Sequence, residues 1–294
     1  MAATPPVSEG TIPFTVDGET HQTWFKVFGD PTNRTRTPIV VLHGGPGYSH
    51  DYLIPIADLA KSSYTVIFYD QIGNARSTHL PGKPPSFWNI DLFIDELVNV
   101  LEHFKVQDGF SLVGHSWGAM LATEYEIRRK PAGLKRLVVS NSAPAIRLYF
   151  RSLRELGFPE EAHQGSAPDP HVLLKHREAF NQFAARHFCT VQPMPAEFEY
   201  SIGQCMNDGS DLSVSSAMLK GELNAWDIID QLHHVRVPTL VINGRDDTAQ
   251  DYVCAPFFWK IPKAKWVTFG NSSHTSMWEE REKYMKVLDE FLSD

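Results

Sequence analysis

Short apolar runs separated by helix-patterned stretches constrain this chain most. "PIVVLHG" (38–44), "YTVIFYD" (64–70), "FSLVGHS" (110–116) and "LKRLVVSN" (134–141) have the length and β-branched content of buried strands. Between the second and third, Ile90, Ile94, Leu97, Leu101 and Phe104 recur at helical spacing. Strands that alternate with helices predict a parallel sheet wound right-handed, with helices on its faces. A hairpin precedes this pattern: Asp17-Gly18 lies between the β-rich runs of "TIPFTVDGETHQTWFKVFG", as a two-residue turn requires.

The pattern changes after Pro144. From there to about Asp230 the sequence reads as helices and loops. "DPHVLLKHREAFNQFAARHF" offers Asp169 as N-cap, Pro170 in the first turn, and Leu173, Phe180, Ala184 and Phe188 on one face. "SAPDPH" (166–171) is the stretch expected to be most flexible. Strands resume with "VPTLVING" (237–244) and "AKWVTFG" (264–270). A final helix places Tyr284, Val287, Leu288, Phe291 and Leu292 on its apolar side. A helical insertion thus interrupts a doubly wound α/β core.

Composition narrows the function classes. Hydrophobic residues make up 42% of the chain, which supplies a sizeable core. A net charge of -8 without a dense Lys/Arg stripe argues against a nucleic-acid partner. Cys189, Cys205 and Cys254 form no metal-binding or disulfide spacing, so no metal site and no disulfide framework is expected. "MAATPPVSEG" has no apolar segment of the secretory kind, and no run is long enough to span a bilayer. The expectation is a cytoplasmic protein without membrane attachment. Nothing in the pattern selects an oligomeric state.

"LVGHSWGAM" (112–120) contains G-x-S-x-G where a strand ends and a helix begins. That context fits a nucleophile elbow, a sharp turn that exposes the Ser116 hydroxyl and points a helix N-terminus at developing negative charge. A serine in a plain loop is the bland alternative. A hydroxyl needs a base, and on such a scaffold the partners follow in the order Ser, Asp/Glu, His at the ends of later strands. His274, in "GNSSHTSMW" before the last helix, holds the base position; His43, His50 and His115 sit in the wrong segments. In "GRDDTAQD" the G-x-x-D spacing points to Asp247, with the adjacent Asp246 as alternative. "HGGPG" (43–47) follows the first core strand. Its glycines suit a turn that offers a bare amide to an oxyanion, so Gly45 and Trp117 are the candidate donors. An acid at position 116 would have suggested an epoxide hydrolase or dehalogenase.

"HGGPG", "YDQIGNARS" (69–77), "GHSWGA" (114–119), "NAWDIIDQLHHVRVPTLVING" (224–244) and "SSHTSMWEEREKY" (272–284) resemble the prolyl aminopeptidase (proline iminopeptidase) family of α/β-hydrolases and its L-amino acid amidase relatives. The resemblance implies an α/β-hydrolase core over 1–143 and 229–294 with a helical cap over 144–228. It implies cofactor-free hydrolysis of short peptides or small amides that present a free N-terminal amine. It carries over Ser116, Asp247 and His274 as the catalytic residues and Gly45 as an oxyanion donor. "YDQIGNARS" keeps Asp70, Gln71, Gly73, Arg76 and Ser77 but has Asn74-Ala75 where a glycine is usual. Many members hold the substrate ammonium with glutamates, one of which can follow the catalytic Asp; here that residue is Thr248. "CMNDGSDLS" resembles another such region and offers Asp211 or Asp208. Asp211 and Trp226 are therefore the candidate substrate-binding residues, with Tyr149, Phe150, Phe198 and Tyr200 as further aromatics that could wall a small apolar pocket. For any single aromatic the packing of the helices is the stronger explanation, and for Asp211 a solvated loop carboxylate is the alternative. Three functions are compatible with these residues: a serine aminopeptidase or amidase; an esterase, lactonase or amide hydrolase on a specialised metabolite; or a non-catalytic ligand receptor on a hydrolase fold.

Overall fold

The computed structural model describes residues 5–158, 177–207 and 209–293. Asp169, Pro170, Leu173, the 166–171 stretch and Asp208 lie outside them.

Strands β1 (Val7–Val16) and β2 (Glu19–Phe28) form the expected hairpin, with Asp17 and Gly18 both at positive φ in the turn. The apolar runs become β3 (Ile39–Leu42), β4 (Val66–Asp70), β5 (Phe110–His115), β6 (Leu134–Ser140), β7 (Thr239–Gly244) and β8 (Ala264–Phe269). They build one eight-stranded sheet in the order β1-β2-β4-β3-β5-β6-β7-β8. The pairs from β4 through β8 are parallel; β2 joins β4 antiparallel.

Helices fill the connections. They are α1 (Ile90–His103), α2 (Trp117–Arg129), α3 (Ile146–Glu155), α4 (Arg177–His187), α5 (Ala196–Met206), α6 (Ser213–Lys220), α7 (Asp251–Lys260), α8 (Ser276–Glu279) and α9 (Arg281–Leu292). Asn89 caps α1 by accepting from the Leu92 amide. A 3₁₀ stretch, Asp51–Ser62, joins β3 to β4. Among the described residues none of the helices is long and apolar enough to cross a membrane.

The central strands β3, β4 and β5 are buried throughout and largely apolar because both of their faces are covered. Val40 and Leu42 point into one core, which also takes Phe93, Leu97, Leu121 and Phe257. Ile39 and Val41 point into the other, shared with Leu53, Ile56, Tyr284 and Leu288. Each buried aliphatic side chain contributes about 1.5–3 kcal/mol. The four buried residues of β3 therefore outweigh a β-propensity scale that spans about 1 kcal/mol in total.

The chain moves from β3 outward to β4, then crosses back past β3 to β5. This reversal opens a crevice at the C-terminal ends of β3 and β5, the place where open α/β sheets bind ligands. "HGGPG" leaves β3 there and Ser116 leaves β5. The described helices between β6 and β7 include α5, which packs on the Asp51–Ser62 stretch beside this crevice.

Candidate active site

Ser116 sits at φ 53°, ψ -121°, a strained pair for a residue with a side chain. The strain persists because the flanking backbone cannot relax. The Ser116 amide donates to the Ser140 carbonyl at 2.9 Å, and the Ser142 hydroxyl donates to the Ser116 carbonyl at 2.9 Å. Glycines permit the approach: a Cβ on Gly118 would lie 2.2 Å from the Leu42 oxygen, and one on Gly114 2.5 Å from Ala119 Cα.

The loops that carry the candidate base and the candidate acid meet beside it. His274 Nδ1 donates to Asp247 Oδ1 at 2.6 Å. The same oxygen accepts from the Ala249 amide at 2.8 Å and the Thr248 hydroxyl at 3.3 Å. Asp247 Oδ2 accepts from Asn141 Nδ2 at 2.7 Å and from the Gly244 amide at 3.3 Å. The carboxylate is fully buried and surrounded by donors only, and its bond to His274 fixes the ring's proton on Nδ1. Asp246 is exposed, and its carbonyl accepts from His187 Nδ1. His274 and Ser116 wall the same small cavity. Among the described residues no hydrogen bond joins the Ser116 hydroxyl to the ring; such contacts commonly tighten only when substrate is bound.

Gly45 and Trp117, whose amides are the candidate donors, line a cavity with Ser116. Among the described residues neither amide has a protein acceptor. The Gly44 amide instead donates to the Tyr52 hydroxyl at 2.8 Å, which donates to His115 Nδ1 at 2.8 Å; His115 Nε2 donates to the His274 carbonyl at 2.7 Å. This sequence of donors requires a neutral His115. Burial holds its pKa well below the usual range, and nearby His274 adds to the effect. His43 is neutral too: burial, outweighing the pull of Asp70, brings it down to about 4. Its Nδ1 donates to the Gly44 carbonyl at 2.9 Å while its Nε2 accepts from the Gln71 amide at 2.9 Å.

The "YDQIGNARS" loop is held by charge. Asp70 accepts from His50 Nδ1 at 2.8 Å and from Arg76 at 3.2 Å. Burial alone would raise its pKa, but the His50 hydrogen bond and nearby charge bring it to about 2. His50, Asp51 and Asp70 converge closely enough to attract a cation; the Arg76 guanidinium, bonded to both carboxylates, supplies that charge. Ala75 stands at φ 47°, left-handed space that explains the glycine usual in this motif.

Two neighbouring cavities of about 120 and 60 Å³ lie beside Ser116 and share Tyr48, Tyr149 and Phe188 as walls. The larger one continues among Met120, Ile146, Phe150, Leu153 and Leu219, and no Asp, Glu, Lys or Arg is among its described walls. Both substrate-binding candidates are displaced from these cavities. Asp211 lines a separate outer groove of about 1050 Å³ and is paired with His79 Nδ1 at 2.9 Å and the Ser213 amide at 2.9 Å. Trp226 is buried, with its indole nitrogen donating to Glu124 Oε1 at 2.7 Å. Tyr200 is on the surface, under Arg76. Tyr149 and Phe150 do line the larger cavity, and Phe198 the smaller.

Sequence reasoning gave Asn141 and Tyr52 no role, met Gln71 only within a motif and Thr248 only as the residue after Asp247, and set His115 aside as a base. Asn141, directly after β6, and Gln71, inside a recognised motif, carried a local signal. The other three depend on loops meeting across the sheet.

The alpha/beta hydrolase fold family matches residues 37–281. With this sheet and these loops, the chain is an α/β-hydrolase. The proline iminopeptidase of Clostridioides difficile is 31% identical over 304 residues, covering 98% of this chain and 98% of that protein. The solved structure of VinJ aligns with a TM-score of 0.85 at 33% identity, covering 98% and 99% of the two chains. The solved proline iminopeptidase of Mycobacterium smegmatis gives 0.81 at 33%, covering 97% of each. The chain belongs to the proline iminopeptidase family and is a hydrolase.

Proposed function

We propose that this hydrolase removes an N-terminal residue, proline or another small apolar one, from short peptides or amino acid amides through an acyl-enzyme on Ser116. The Asp247–His274 contact at 2.6 Å beside a strained Ser116 is the observation that carries this reading. Ser116 Oγ attacks the substrate carbonyl, and His274 Nε2 takes its proton. Asp247 holds the Nδ1 proton and stabilises the imidazolium. The Gly45 and Trp117 amides take up the oxyanion; losing one such donor typically costs about 100- to 1,000-fold in rate. The tetrahedral species collapses as His274 returns the proton to the leaving amine. Water then attacks the acyl-enzyme with His274 as base, releasing the acid and restoring Ser116.

Cavity size supports a small acyl group. About 120 Å³ is well below the roughly 300–1,000 Å³ of sites for drug-sized ligands. We assign residues 144–228 the role of a cap, since Ile146, Tyr149, Phe150 and Leu219 close the cavity from that segment.

One observation favours a second reading, an esterase or amide hydrolase on an apolar acyl group. The described cavity walls hold no carboxylate for an ammonium, and Thr248 occupies the position after Asp247. A panel decides. Prolyl p-nitroanilide turnover that is abolished by N-acylating the substrate supports the aminopeptidase. Fast p-nitrophenyl ester turnover, indifferent to a free amine, supports the alternative. Full turnover by Ser116→Ala would refute both.

A further inference from the structure

The geometry points to Gln71 as a positioning residue that sets the separation of the two oxyanion donors, an inference that rests on the serine-hydrolase reading above. Its side chain is fully buried between the loop after β3 and the elbow after β5. The Gln71 Nε2 donates to the His43 carbonyl at 3.0 Å, and its Oε1 accepts from the Trp117 indole nitrogen at 2.9 Å. Its own amide donates to His43 Nε2 at 2.9 Å. One end of the clamp is therefore fixed two residues before Gly45. The other is fixed on Trp117, whose backbone amide is the second donor.

Orientation is not in question, because a carbonyl only accepts and an indole N–H only donates. At this reach glutamine alone satisfies both. Glutamate keeps the indole bond but faces the His43 carbonyl with an acceptor; leucine leaves both buried groups unpaired. The clamp is itself braced. The next residue, Ile72, has its amide held by both oxygens of buried Glu96, at 2.9 and 3.0 Å, and the Gln71 carbonyl accepts from the Asn74 amide at 3.0 Å. A donor pair gains its effect from being set before charge develops, so slack between the two loops weakens transition-state binding more than substrate binding.

The test measures kcat and KM per active site, titrated with a fluorophosphonate, for the wild type and for Gln71→Leu, Gln71→Glu and Trp117→Phe. The substrate is whichever member of the panel turns over. The affinity for the boronic-acid analogue of proline, whose adduct is tetrahedral, is compared with that for proline. In Gln71→Leu, kcat per site falls at least about tenfold while KM stays within about threefold. Boronate affinity falls in parallel and proline affinity does not. Gln71→Glu and Trp117→Phe, which each break one end, fall between Leu and wild type. They keep the proposal testable should Leu fail to fold. A role confined to stability lowers the titrated fraction but leaves kcat per site and boronate affinity unchanged in all three, and that result overturns the inference. A wild type that neither binds the boronate nor loses activity as Ser116→Ala would instead overturn the serine-hydrolase reading.

Discussion

Replacing Asp247 by asparagine changes one oxygen for an NH₂ group, and the surrounding donors dictate the consequence. Five donors converge on the carboxylate: His274, Ala249 and Thr248 on one oxygen, Asn141 and Gly244 on the other. The new NH₂ group must therefore face donors whichever way it turns. Facing Asn141 and Gly244, it leaves two buried donors unpaired, at about 1–3 kcal/mol each. Asn141 could turn its own oxygen inward only by giving up the Ser140 hydroxyl, bonded at 2.5 Å. Facing His274, it displaces the Ala249 amide but gains an acceptor if the ring moves its proton from Nδ1 to Nε2. The second arrangement is the cheaper one. It leaves a tautomer that cannot take the Ser116 proton.

The expected loss is about 10⁴-fold in kcat, the size found when a triad aspartate is so replaced, or about 5 kcal/mol of barrier. Steady-state turnover of active-site-titrated protein reads it, and ring-nitrogen NMR of His274 should find the proton on Nε2. Asp246→Asn should stay near wild type, because that carboxylate is exposed. Turnover of Asp247→Asn within about tenfold of wild type, or an equal loss in Asp246→Asn, would refute the reasoning.

Gly118→Ala puts a Cβ 2.2 Å from a backbone oxygen of β3; it should lose at least about 2 kcal/mol in urea unfolding together with most activity. The buried His43 stays neutral down to about pH 4, whereas the unfolded chain protonates it below about 6.5. Between those values the unfolded state binds the extra proton, so stability rises with pH and is lost as pH falls. The contribution is about 3 kcal/mol, and urea midpoints from about pH 7 to 4 should fall less steeply in His43→Asn than in wild type. Ala75→Gly relieves a left-handed φ of 47° worth about 1–2 kcal/mol, offset by glycine's greater freedom when unfolded. Thermal denaturation should show it no less stable than wild type.

Most of the sheet was legible because the inner strands β3, β4, β5 and β7 are buried on both faces and so read as largely apolar runs. The hairpin was legible from Asp17-Gly18 between two β-rich runs. The 3₁₀ stretch Asp51–Ser62 and α7 were not foreseen; Pro55 and Pro256 lie inside them, and proline argues against regular helix in a single sequence. Ser116, Asp247 and His274 could be picked out because each follows a recognisable strand. The residues that line the cavity beside Ser116 from outside the sheet could not, since they depend on how helices there turn their faces. Asp211 and Trp226 had suitable chemistry, but their groups are committed to His79 and Glu124. Asn141 and Gln71 matter through partners 106 and 46 residues away, a distance no local pattern encodes.

The central claim is that Ser116 is the nucleophile. Mass spectrometry of the protein treated with a fluorophosphonate, then digested, tests it most directly. The account predicts one adduct, on the Ser116 peptide, that follows the loss of turnover mole for mole and forms far more slowly in His274→Ala. Complete inactivation with the adduct elsewhere, or unchanged turnover with Ser116 fully labelled, would contradict it.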